Sequence, residues 1–155
     1  MLFNGSIALD ADPQRVWDLL LDLSSLTACV PGVDNLVQVD DGTFTGTIHA
    51  TVGPMSGEFP FRAHIEDSDP PTDLSARVEG TDSITKSTID ADVRVTLASM
   101  GLNQTVLTYQ ATVNIHGRLA IIGDMVLRAT AAVILNEFTK RVRARLDGDI
   151  AEVKA

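Results

Sequence analysis

Disulfides and cysteine-based metal sites are excluded first, because the 155-residue chain has a single cysteine, Cys29. One cysteine forms no internal disulfide and cannot complete a cysteine zinc site. A chain without disulfides suits a reducing compartment, so we expect a cytoplasmic protein.

Long hydrophobic runs are also missing. The most apolar stretch, residues 119–135, is interrupted by Asp124 and Arg128, whereas a membrane span needs about 20 mostly apolar residues. Residues 1–10 have neither a basic segment nor a long apolar segment, so we expect no signal peptide. The expected location is the cytoplasm, with at most peripheral contact at the inner face of the membrane.

Positive charge is scarce over most of the chain. Twelve basic residues stand against 21 acidic ones, a net charge of −9. General nucleic-acid binding depends on a basic surface, so the balance argues against a nucleic-acid partner.

Catalytic and metal-binding motifs are lacking as well. The three histidines, His49, His64 and His116, do not have the spacing of a metal site. Cys29 has no histidine near it in sequence to act as a base. The glycines form no phosphate-binding motif. We therefore expect no catalytic residue, no metal and no covalently bound cofactor.

The patterns that are present predict one α+β domain. Residues 3–9 alternate as a strand, and Asp12-Pro13 is a typical helix start. A second short helical turn at residues 24–28 ends at Pro31-Gly32. Further strands are predicted at residues 36–39, 43–52, 58–66, 74–78, 89–97 and 107–115. Their period-2 alternation favours an antiparallel sheet with one covered face.

A final long helix is predicted over residues 118–146, with residues 147–155 as a short flexible tail after the domain of residues 1–146. Residues 118–146 carry six basic and two acidic residues, a net charge of +4, against −13 for the rest of the chain. Four of the basic residues form a cluster, Lys140, Arg141, Arg143 and Arg145. Two interpretations stay open: the cations stabilise the helix C-terminus, or they attract an anionic membrane or an acidic partner.

The expected fold is a curved antiparallel sheet of about seven strands around the C-terminal helix. A helix is about 10–12 Å across, whereas seven strands about 4.8 Å apart span roughly 30 Å. Small residues recur on the inner faces, for example Ala50, Ala63, Ala91 and Ala111 on the strands. They predict an apolar internal cavity. The alternative is a core filled by Trp17, Phe44, Phe59 and Phe61.

An ordered set of short segments gives the chain a family resemblance. The segments are residues 13–17 (PQRVW), 29–33 (CVPGV), 52–57 (VGPMSG), 69–71 (DPP), 117–120 (GRLA) and 122–123 (IG). With them the sequence resembles the CoxG subunit family of carbon monoxide dehydrogenase, within the helix-grip, START-like (SRPBCC) superfamily. The resemblance covers roughly residues 1–146. Residues 79–90 depart from it, because they lack the glycine-rich sequence expected there.

The resemblance implies a non-enzymatic accessory protein of molybdenum-containing carbon monoxide dehydrogenases and related hydroxylases. The implied ligand is a hydrophobic small molecule, a quinone or another lipophilic compound, and the implied roles are membrane association or electron delivery. Two alternatives remain: a docking module with a filled core, and a small START-like enzyme with a polar group of shifted pKa deep in the cavity.

For the ligand-carrying function we predict a set of lining residues. They are Leu20, Leu26, Val30, Met55, Phe59, Phe61, Ile65, Tyr109, Ile122, Met125, Val126 and Ala129. The mouth is expected at Pro31-Gly32 and at a loop of residues 53–57, where glycine lets the backbone move. Tyr109 either donates the single hydrogen bond that orients a quinone carbonyl or is a core tyrosine with its hydroxyl at the rim.

Overall fold

The structure, a computed structural model, describes residues 1–82 and 86–154, and within them all side chains except those of residues 52, 55 and 148–154. In this part of the chain seven strands form one antiparallel sheet, in the order β1-β7-β6-β5-β4-β3-β2. The elements are β1 (Leu2–Leu9), α1 (Pro13–Leu21), α2 (Leu23–Cys29), β2 (Val33–Asp40), β3 (Thr43–Val52), β4 (Met55–Asp69), β5 (Asp73–Thr81), β6 (Thr88–Ser99), β7 (Thr105–His116), α3 (Arg118–Ile121) and α4 (Asp124–Lys154). The predicted helix-grip fold class is confirmed.

Two aspartates set the short helices after β1. Asp12 is the N-cap of α1, and its Oδ1 accepts a hydrogen bond from the Arg15 N–H at 2.9 Å. Asp22 ends α1 and caps α2, where its Oδ2 accepts from the N–H and the hydroxyl of Ser25 at 3.0 and 2.7 Å. These hydrogen bonds from Ser25 hold the pKa of Asp22 below its usual value. The chain therefore turns between α1 and α2 at a single shared cap.

The β3–β4 connection is tighter than the predicted loop of residues 53–57. Residues 52 and 55 already pair across the two strands, so Gly53 and Pro54 alone make the turn. Gly53 has a φ of +58°, which a glycine adopts without strain. The predicted glycine-rich mouth loop is thus a rigid hairpin end rather than a free loop.

The predicted single C-terminal helix is interrupted, which corrects its start. α3 ends at Ile121 and α4 begins at Asp124, with Gly123 between them at a φ of +95°. A left-handed residue cannot continue a right-handed helix, so the axis breaks there. α4 then runs to Lys154, past residue 146 where the helix is predicted to end.

The core has a densely packed end, formed where α1 and the later turns of α4 meet the sheet. Its most buried side chains include Val16, Leu97, Val142 and Leu146, each 2 % exposed or less. A smaller cluster of Phe59, Leu119 and Leu127 lies where α3 and the first turns of α4 meet the sheet. The two clusters leave the middle of the sheet between them.

Ser87 ties α3 to the start of β6, and its substitution gives a stability prediction. Its side chain is fully buried, and its Oγ accepts a hydrogen bond from the Leu119 N–H at 3.0 Å. Ser87→Ala deprives that buried N–H of its acceptor, so we expect the free energy of unfolding to fall by about 1–3 kcal/mol. Urea denaturation measures the change. Ser99→Ala, at an exposed position of β6, is the control. Equal, small effects of the two substitutions would contradict this role of Ser87.

Candidate functional site

An apolar pocket lies between the inner face of the sheet and α4. Its volume is about 510 Å³. The lining comes from β1, β3, β4, β6, β7 and the helices: Met1, Phe3, Ile7, Leu20, Ile48, Ala50, Phe59, Ile89, Val93, Val95, Leu107, Tyr109, Ala111, Val113, Ile115, Leu119, Leu127, Thr130, Ala131, Ile134, Leu135 and Phe138. None of these side chains is an acid, an imidazole, a thiol or a cation. The pocket can therefore surround an apolar molecule but supplies no side-chain acid or base for a reaction.

Two hydroxyls are the polar side-chain groups of this lining. The Thr130 hydroxyl donates to the Val126 carbonyl at 3.0 Å, one turn earlier in α4. The Tyr109 hydroxyl, in contrast, has no hydrogen-bond partner in the described part of the chain. Tyr109 is therefore the group that can hydrogen-bond a molecule in the pocket.

The Tyr109 side chain lies across β1 at Gly5. Gly5 pairs with Tyr109, and a Cβ at Gly5 would stand 2.6 Å from the Tyr109 Oη. Any larger residue at position 5 would displace the ring, so the glycine makes room for the tyrosine. The ring lines the apolar pocket and also an adjoining groove, which places it at the rim.

That adjoining groove, here called the basic groove, runs between β1 and α4. It is lined by Ser6, Ile7, Tyr109, Leu135, Asn136, Thr139, Lys140, Arg143, Ala144 and Asp147. Ile7, Tyr109 and Leu135 also line the apolar pocket. The basic groove and the apolar pocket are therefore continuous in their lining.

A second groove, here called the edge groove, lies between β3 and the first half of α4. Its lining is Pro31, Gly32, Ile48, His49, Ala50, Thr51, Met125, Val126, Ala129, Thr130, Val133 and Ile134. Next to it the hairpin turn meets the α3–α4 junction, where a Cβ on Gly53 would stand 3.3 Å from Val126 and 3.7 Å from Ile122.

The predicted lining residues divide among these places. Leu20, Phe59 and Tyr109 line the apolar pocket. Met125, Val126 and Ala129 line the edge groove, with Met125 85 % exposed. Ile122 packs against the cluster of Phe59, Leu119 and Leu127. The Met55 side chain lies outside the described residues.

The other predicted lining residues do not reach the apolar pocket. Phe61 lies against Gly46, where a Cβ would stand 2.9 Å from its ring. Leu26, Val30 and Ile65 are half-buried but are not among the residues of the pocket wall. Leu26 belongs to α2, which hydrogen bonds from Arg141 and Arg145 hold against the later turns of α4, away from the pocket.

Most of the pocket wall went unpredicted. It is formed by the inward residues of β6 and β7, such as Val93, Ala111 and Val113, and by Ile134 and Phe138 of α4. Their alternation predicts an inner face, but it does not predict where α4 leaves that face uncovered.

Three of the four clustered basic residues hydrogen-bond their own chain. Arg141 donates to the Ala28 carbonyl and to Glu137, at 3.3 and 3.0 Å. Arg143 donates to the Ala8 carbonyl at 3.0 Å, and Arg145 to the Ser25 hydroxyl at 2.9 Å. These contacts hold α4 against α2 and β1. Lys140 is exposed and faces the basic groove.

Cys29 and the histidines are placed outside this site. Burial raises the pKa of the Cys29 thiol, and the charges of Arg145 and Arg141 offset only part of the rise. A thiol of raised pKa is a poor nucleophile. His49 lies between Asp34 and Glu58, 3.6 and 3.3 Å away. Among the described residues, no three potential metal ligands of the His, Cys, Asp or Glu type group together.

Comparison with known proteins gives a family match over most of the chain. Residues 5–147 match the CoxG family, which is described as a subunit of carbon monoxide dehydrogenase. No curated protein sequence gives a significant match. Within the described residues, no helix is both long and apolar enough to cross a membrane.

Solved structures share the fold at low sequence identity. A conserved protein from Geobacillus kaustophilus is similar with 23% identity and a TM-score of 0.89, covering 96% of each chain. A START superfamily protein from Mycobacterium smegmatis has 10% identity and a TM-score of 0.73, over 95% of this chain and 97% of that one. A protein from Chromobacterium violaceum has 17% identity and a TM-score of 0.68, over 92% and 95%.

Proposed function

Because the chain belongs to the CoxG subunit family of carbon monoxide dehydrogenase, we propose that it is a non-enzymatic accessory protein that binds a hydrophobic small molecule. The enzyme it serves is a molybdenum-containing carbon monoxide dehydrogenase or a related hydroxylase. The observation that carries the ligand-binding part is the apolar pocket of about 510 Å³. Pockets for small ligands are mostly apolar, with few polar groups that fix orientation.

A quinone is the ligand we propose first. It has a lipophilic body and carbonyl oxygens that only accept hydrogen bonds. The pocket wall offers carbon on nearly every side, and the Tyr109 hydroxyl is a donor without a partner among the described residues. An enzyme that oxidises its substrate must pass electrons to an acceptor, and a bound quinone is an acceptor of this kind.

The same proposal gives the cluster of Lys140, Arg141, Arg143 and Arg145 a peripheral role. All four residues carry positive charge near the end of the pocket that the basic groove adjoins, and anionic lipid attracts such residues by about 1 kcal/mol each near the surface. Because the three arginines are held against the protein, Lys140 is the cation of this cluster that reaches outward most freely.

Quinone binding is tested on the purified protein by thermal unfolding. With a short-tailed ubiquinone analogue at about 100 times its Kd, we expect a stabilisation of about 2.7 kcal/mol. For a chain of this size that corresponds to a Tm increase of roughly 5–10 °C. Native mass spectrometry should find one analogue molecule per chain.

The control is the same quinone ring without its tail, which keeps the carbonyls and loses the apolar body. It should raise the Tm much less. If neither compound raises the Tm and solvent extraction recovers no lipid from the protein, the protein is better described as a docking module.

A further inference from the structure

The basic groove gives the apolar pocket a polar end. Ile7, Tyr109 and Leu135 belong to both linings, so a molecule in the pocket can extend past Tyr109 into the groove. The groove has a volume of about 600 Å³. Its wall carries the charged residues Lys140, Arg143 and Asp147, whereas the pocket wall carries no charged side chain.

Two donors face this polar end with free capacity. In the part of the chain that the structure describes, the Lys140 ammonium has neither an ion-pair nor a hydrogen-bond partner, and the same holds for the Tyr109 hydroxyl. Arg143 is held by the Ala8 carbonyl at 3.0 Å. The Thr139 hydroxyl is likewise used, because it donates to the Leu135 carbonyl at 2.8 Å.

The charges of the groove favour a single negative charge. Lys140 and Arg143 give two positive charges and Asp147 one negative charge, in a chain whose net charge is −9. A carboxylate has two oxygens that only accept hydrogen bonds, and a bond from an ammonium to a carboxylate is stronger than one between neutral groups. A neutral quinone carbonyl would use Tyr109 but would leave Lys140 unpaired.

We infer that the apolar pocket and the basic groove together bind amphiphiles with an ionised carboxylate head, such as long-chain fatty acids. The tail lies in the apolar pocket, and the head lies between the Tyr109 hydroxyl and the Lys140 ammonium. This inference rests on the proposed function, because it needs the apolar pocket to hold the tail.

The test compares dodecanoate with dodecanol, two probes with the same chain that differ in the charged head. Isothermal titration calorimetry on the full chain should show dodecanoate bound roughly three- to tenfold tighter, as expected for a charge-assisted hydrogen bond in a partly exposed site. Lys140→Gln should bring the ratio of the two affinities close to one. Tyr109→Phe should lower the ratio partly. Higher salt should lower it as well, because it screens the charge.

The matched control is Arg94→Gln, which removes the same charge from an exposed position of β6, outside both the pocket and the groove. It should leave the ratio unchanged. If dodecanol and dodecanoate bind equally well to the unaltered protein, or if Lys140→Gln leaves the preference intact, the carboxylate inference is wrong and hydrophobic-ligand binding stands. If neither probe nor the quinone analogue binds, the proposed function fails with it.

Discussion

Ala111→Phe is expected to weaken binding of the quinone analogue by at least tenfold, about 1.4 kcal/mol, without lowering the free energy of unfolding. Ala111 lies in β7 between Phe3 of β1 and Val93 of β6, and all three residues line the apolar pocket. A phenylalanine ring at this position enters space that the ligand is proposed to fill. Since the ring becomes buried among apolar side chains, stability should stay equal or rise by up to about 2 kcal/mol.

The sign of the stability change separates a pocket from a filled core. In a filled core, extra methylene and ring carbons force neighbours out of their positions and cost about 1–3 kcal/mol. Ala98→Phe, at an exposed position of β6, adds the same ring away from the pocket and should leave binding unchanged. A destabilised Ala111→Phe protein with normal ligand affinity would refute the pocket interpretation. Tryptophan fluorescence in urea and calorimetry with the analogue measure the two quantities.

The strands were predictable because the decisive information is local. In residues 43–52 the alternation of polar and apolar side chains identifies a strand and its inner face, and β3 has the same bounds, Thr43–Val52. Asp12 and Pro13 likewise determine the start of α1 through a cap that forms within one turn.

The break at Gly123 was not predictable in the same way. Gly123 lies in an apolar stretch of helical pattern, and a glycine inside such a stretch is tolerated at a cost of about 1 kcal/mol relative to alanine. Its positive φ follows from how α3 is held to the rest of the protein, including the Leu119 N–H bonded to Ser87 from 32 positions earlier in the chain. That is a long-range contact, and the helical period does not encode it.

The site was only partly predictable for a related reason. The pattern identifies which residues face inward, and Leu20, Phe59 and Tyr109 do line the pocket. Which inward residues stay uncovered depends on how α4 crosses the sheet. Arg141, Arg143 and Arg145 help to fix that crossing through bonds to Ala28, Ala8 and Ser25, and such partners lie more than one hundred residues away in sequence.

The fold thus divides its labour along α4. The later turns pack against α1 and the sheet with almost no exposed surface, as for Val142 and Leu146. The earlier turns carry Thr130, Ala131 and Ile134 along the pocket. Dense packing at one end supplies the stability that lets the middle of the sheet remain uncovered.

Leu97→Ala is therefore expected to be among the most destabilising single substitutions, with a loss of about 2–5 kcal/mol in the free energy of unfolding. Leu97 is 2 % exposed and belongs to the packed end with Val16 and Trp17. Its removal leaves a cavity that the neighbouring side chains cannot fill. Leu135→Ala is the matched comparison, because Leu135 is half-buried and faces the pocket and the groove. Since little packing is lost there, it should cost about 1 kcal/mol or less. Urea denaturation without ligand measures both values, and equal losses would mean that the middle of the sheet is packed as tightly as the end.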